Sequence, residues 1–177
     1  MGKILVIFTL LSAVLVGGAV YYLQVYAYYE EVAATGTDDV MLTRLDTGQP
    51  EAIPYAEFQA IDATSSPIRY RGCFTTQAST VSLSQAYAPY PDARPIEGPR
   101  WFGCYDADEI GDALESGQAQ AFLSIENVHY GVDRVVALFG DGRGVVWHQI
   151  NHCGEVVFDG RPAPEGCPPP PEGIARQ

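Results

Sequence analysis

No charged residue occurs between Lys3 and Glu30, and residues 4–20 are almost wholly aliphatic or small. A run of that length is sufficient to cross the hydrocarbon core of a bilayer, about 30 Å thick. It ends in Tyr21, Tyr22, Tyr26, Tyr28 and Tyr29, placed where phenolic rings suit a membrane–water interface, and Glu30 and Glu31 mark the exit. The pattern predicts a transmembrane anchor over residues 4–29, with residues 1–3 in the cytoplasm and the rest of the chain beyond the membrane. Gly17-Gly18-Ala19 offers a competing reading as a signal-peptide cleavage site. The unbroken apolar run and the absence of a helix-ending proline favour retention. Thr9, Ala13 and Gly17, four residues apart, could give this helix a close-packing face.

Residues 30–39 read as a linker and residues 40–160 as one α+β domain with an antiparallel sheet and at least one helix. Val40–Leu45 alternates like a strand, and Gly48-Gln49-Pro50 is a turn. Residues 54–60 read as a short helix or an irregular crossing. After the break at Ser65-Ser66-Pro67, residues 68–74 alternate again, with arginines that predict one wet face. Residues 88–99 hold Pro89, Pro91, Pro95 and Pro99, so they form an ordered excursion rather than a helix. Asp106 is a helix cap with Glu109 as its capping-box partner; Ile110, Ala113 and Leu114 share one face, and Gly117 ends the helix. The clearest β signal follows: residues 121–128, a bend at Gly131, residues 134–139, a glycine turn over 140–144, and a returning strand over 145–150. Residues 155–158 suggest one more strand, and residues 161–177 form a proline-rich tail, extended or disordered.

Cysteine usage adds a compartment to this picture. Cys73, Cys104, Cys153 and Cys167 all follow the anchor, and an even number of thiols beyond a membrane predicts disulfides. Gly72-Cys73-Phe74 and Gly103-Cys104-Tyr105 echo each other, while Cys153 and Cys167 flank a short turn-rich segment. Of three possible pairings, Cys73–Cys104 with Cys153–Cys167 is favoured. There is no Cys-X-X-Cys for thiol redox work or haem attachment. A formal net charge of -12, with Lys3 the one lysine, excludes a phosphate-binding face and hence nucleic acid as a partner.

Candidate chemistry is sparse. His148, His152 and Cys153 are the densest set of metal-ligand types, with His129 as a possible third imidazole for zinc or copper, though Asn151 and Gly154 signal a turn there. Asp106, Asp108 and Glu109 are better explained as helix cap and first turn, and Asp38-Asp39 as solvated linker residues. Gly140–Gly144 lies between strands and lacks the Lys-Ser/Thr of a phosphate loop. No nucleophile motif and no cofactor motif is present. Trp101, Phe102 and Tyr105 around Cys104 are either core about a disulfide or, where exposed, anchors for a protein partner.

Several stretches carry a resemblance that covers nearly the full length. They are Tyr21–Tyr26, Ser65–Arg71 before Cys73, Tyr130–Ala137, Asp141-Gly142-Arg143 with Trp147-His148-Gln149, and Pro162–Pro170 around Cys167. By these the chain resembles a family of small, uncharacterised single-pass inner-membrane proteins of Gram-negative bacteria. The resemblance implies an inner-membrane location with a periplasmic domain and implies no activity. The expectation is therefore an anchored periplasmic accessory or interaction module without catalysis, its partners the bilayer and another envelope protein. The alternative is metal handling through His148, His152 and Cys153.

Overall fold

The computed structural model describes residues 2–173. Residues up to Glu30 form one compact unit and residues from Glu31 onward another. The first unit holds helix α1 (Gly2–Val25), which buries nothing and is long and apolar enough to cross a membrane. Tyr26 stands just past its end, with its ring stacked on Tyr22 at 6.0 Å and edge-on to Tyr21 at 6.3 Å.

The second unit is built on a six-stranded sheet in the order β1 (Glu30–Val32), β4 (Ala56–Asp62), β5 (Arg71–Thr75), β8 (Arg143–Ile150), β7 (Val132–Phe139) and β6 (Ala119–His129). From β4 through β6 every neighbouring pair is antiparallel. A small β2–β3 hairpin (Met41–Thr43, Pro50–Ala52) and helices α2 (Thr80–Ala86), α3 (Ala107–Glu115) and α4 (His152–Phe158) complete it. The registers align Ala60, Gly72, Val146, Val136 and Phe122 across five strands. With β2, Ile53 and Leu83 of α2, most of this row forms the main apolar core. Gly72 is required in it, because a Cβ there would stand 2.7 Å from Val146 Cγ1.

The row one residue along is Ile61, Arg71, Trp147, Val135 and Leu123, and it faces the other side of the sheet. Arg69 is half-buried, and the wet arginine face expected here fails at Arg71, which is only 2 % exposed. The proline-rich excursion covers it. Proline-rich backbone cannot satisfy its polar groups internally, and side chains rising from this face supply the missing partners. Asp133 accepts from Tyr90 Oη at 3.1 Å. Gln149 donates to the Asp92 carbonyl and accepts from Arg94 N–H. Arg71 donates to the carbonyls of Ile96 and Glu97 at 2.7 and 3.0 Å. Cys73, on the same face, closes the series through its disulfide to Cys104, with Cα atoms 6.2 Å apart. The excursion is thus fixed in chain order by four consecutive attachments.

Two expectations about individual elements need correction. Residues 56–62 are strand, since pairing with β5 overrides the helix propensity of Ala-Glu-Phe-Gln-Ala; a register shift is absorbed beside Glu57 at φ +54. Residues 155–158 belong to α4, because Asn151 caps the helix by accepting from Gly154 N–H. Helix α2 had no counterpart in the sequence pattern; its single buried residue, Leu83, leaves almost no periodic signal. Elsewhere the expected order holds. Asp106 caps α3, accepting from Asp108 and Glu109 N–H, and Gly117 follows at φ +73. Glu109 turns to Arg143 at 2.9 Å, tying α3 to the β7–β8 turn. The bend at Gly131 is the two-residue turn of the β6–β7 hairpin. The tail beyond Gly160 is irregular but attached, through Cys153–Cys167 and a hydrogen bond from Tyr130 Oη to the Pro168 carbonyl.

Candidate functional site

Helix α3 starts at Ala107, so Trp101, Phe102 and Tyr105 belong to the segment that closes the excursion. The structure divides the three. Phe102 and Tyr105 are buried. The Arg71 guanidinium lies 5.5 Å from the Tyr105 ring centroid, and burial pushes the Tyr105 hydroxyl well above the usual phenol range. Trp101 is 37 % exposed, edge-on to Phe102 at 6.3 Å. It borders a groove of about 450 Å³ whose other walls include Val32 of β1, Phe58 and Ala60 of β4, and Cys104. Phe58 leans on Tyr55 at 5.6 Å, which holds its ring in place. The disulfide is what brings the tryptophan to the β1–β4 edge, since Cys73 lies on β5 beside Gln59 of β4. Val32 and Phe58 were not legible as site residues. One sits in the expected linker and the other in the stretch read as a helix or crossing.

Of the metal-ligand candidates, His129 and His148 come together, their rings edge-to-face at 6.1 Å, but His152 and Cys153 do not join them. His148 is 2 % exposed on β8, stacked on Tyr70 at 4.8 Å. Its Nε2 accepts from Arg134 Nε at 3.0 Å, so the proton resides on Nδ1 and is donated to the Pro67 carbonyl at 2.7 Å. Burial first, and then the Arg134 charge, push its pKa down to about 3. Both ring nitrogens are therefore committed inside the protein. His152 opens α4 and is exposed, because the strand that would have aligned it with His148 ends at Ile150. Cys153 is bonded to Cys167, so its sulfur is no thiolate ligand. Among the described residues no group of three or more His, Cys, Asp or Glu side chains is placed to hold a metal ion.

The paired acids also have structural employment. Asp39 is buried and accepts from Thr35 N–H at 2.8 Å, from Gly36 N–H at 2.9 Å and from Tyr55 Oη. Burial pulls its pKa upward, but these hydrogen bonds outweigh it and leave the carboxyl below its ordinary value. Asp38 is held low by the hydroxyls of Thr35 and Thr37. Asp39 therefore sits in a hydrogen-bonded turn, whereas Asp38 is exposed, as expected of a solvated residue.

Fold and site together define a disulfide-stapled, antiparallel α+β domain preceded by a helix long and apolar enough to span a membrane. The match to a family model settles the affiliation: over residues 40–168 the chain belongs to the family of unknown function DUF6446. Neither the curated proteins nor the solved structures provide a match.

Proposed function

We propose that this protein is a membrane-anchored accessory module of the Gram-negative envelope that acts by binding another envelope protein, without catalysis. In this reading α1 is a retained single-pass anchor in the inner membrane, with Lys3 on the cytoplasmic side and residues 40–160 in the periplasm. The apolar helix and two disulfides support that address, since paired thiols persist in an oxidising compartment. The observation that carries the binding role is Trp101, a large aromatic left partly uncovered beside a groove of mixed polar and apolar lining at the sheet edge. Tryptophan is among the residues most enriched where interfaces concentrate their energy.

Photocrosslinking in cells tests it. A photoreactive residue at position 101 of the full chain is expected to give one discrete adduct, lost when Phe58→Ala empties the groove wall. The same residue at exposed Leu45 is expected to give none. Recovery of the uncrosslinked chain alone from position 101 would defeat the proposal.

A further inference from the structure

The apolar layer formed by β2, β3 and α2 covers only part of its face of the sheet. At the other end, Val132 of β7 and Ile150 of β8 floor a cleft of about 910 Å³ that no described residue of those three elements lines. Its walls come from the 62–68 loop with Ile68, from Phe158 at the end of α4, and from Pro171 of the tail. The walls are pinned independently of one another. His148 Nδ1–H holds the Pro67 carbonyl, Tyr130 Oη holds the Pro168 carbonyl, and Cys153–Cys167 anchors the start of the proline run. A volume in the range of small-molecule sites, an apolar floor and a few polar rim groups are the ordinary attributes of a ligand cavity.

Its chemistry narrows the ligand. Asp62 is the one acidic or basic lining residue besides His129, and no lysine or arginine lines the cleft among the described residues. Asp62 spends one oxygen on Ala63 N–H at 2.8 Å. Aromatic rings stand at the rim: Tyr130, and Phe158, which is 43 % exposed. The nearby Arg134 is turned to its own partners, Tyr70 at 4.3 Å and His148. A carboxylate with aromatic faces is the combination that recognises an ammonium group, and the net charge of -12 favours a cation over an anion. We propose that this cleft binds a small organic cation, its ammonium head at Asp62 and the aromatic rim and its apolar body on Ile68, Val132 and Ile150. The inference does not depend on the Trp101 groove, which is lined by different residues.

The test uses the full chain in non-ionic maltoside micelles, with isoleucine methyls labelled for NMR. Three ligands share one body and differ in the head: naphthylmethylammonium, naphthylmethanol and naphthoate. Saturable shifts at Ile68 and Ile150 are expected, with the ammonium binding at least tenfold more tightly than the alcohol and the carboxylate weakest. Asp62→Asn is expected to erase the difference between ammonium and alcohol, with Ile53 and Ile110 signals unchanged as a check on the fold. Equal binding of all three heads, a preference that survives Asp62→Asn, or shifts confined to Ile4 and Ile7 of α1 would each overturn the proposal.

Discussion

His148 illustrates how a residue type that invites a functional reading becomes structural once its neighbours are known. A base accepting from Arg134 and donating to the Pro67 carbonyl must be neutral to satisfy both partners. Its folded pKa, about 3, lies below the ordinary 6.5. The unfolded chain therefore takes up a proton as pH falls through 6.5, whereas the folded domain resists until about 3. Stability is lost progressively across that window, by about 2 kcal/mol at pH 5 relative to pH 7.5. Denaturant unfolding followed by fluorescence of the buried Trp147 checks this, and His148→Phe is expected to flatten the dependence between pH 7 and 5. Arg71 makes a second residue-scale case. It serves four carbonyls, those of Ile68, Tyr70, Ile96 and Glu97, from inside the domain. Arg71→Met strands buried acceptors worth about 1–3 kcal/mol each, so a total loss of about 3 kcal/mol or more is expected. Arg71→Lys should not rescue it, because a compact ammonium cannot span the guanidinium's fork. The same unfolding assay reads both variants.

Among the elements, α3 and the β6–β7 hairpin carry separable expectations. Asp106→Ala removes the acceptor for two N–H groups at the start of α3 and should cost about 1 kcal/mol, measured as a lowered denaturation midpoint with unchanged slope. Gly131 occupies the hairpin turn at φ +73, and a Cβ there would lie 2.6 Å from Gly154 Cα of α4. Gly131→Ala thus combines an unfavourable backbone conformation with a clash against backbone that has no flexible end to yield. The expected result is loss of amide protection in α4 and the β6–β7 turn by hydrogen exchange, while β5 stays protected. Gly154 is equally confined between Gly131 and Phe158, which is why the third residue of α4, facing the hairpin, is a glycine.

At the scale of the whole molecule, the two disulfides close loops of different length, with sequence separations of 31 and 14. The loop-entropy account assigns them about 4 and about 3 kcal/mol. Cys73→Ala with Cys104→Ala should therefore lower stability more than Cys153→Ala with Cys167→Ala, and only the first should expose the excursion to proteolysis between residues 88 and 104. Limited digestion with mass mapping distinguishes the two. The run of strands from residue 121 to 150, the cap at Asp106, the glycine turns, the apolar N-terminal helix and the favoured cysteine pairing were legible along the chain. Each is a local or nearly local signal: period-two alternation, a capping side chain, a positive-φ turn, or cysteines close in sequence.

What the chain could not disclose was which surfaces its segments cover. Alternation marked Arg69 and Arg71 as a polar face, because the pattern cannot reveal that an irregular segment returns over it. Likewise Phe58, amid residues of good helix propensity, became strand because a neighbouring edge needed a partner. The sequence by itself determined the local elements and their punctuation, since these depend on backbone conformation within a few residues. Tertiary structure alone decided that Arg71, Gln149 and Asp133 would fasten the proline-rich excursion, and that Trp101 would be left at its end. Those contacts join residues whose separation along the chain carries no periodic trace, and their energy exists only when buried polar groups find one another.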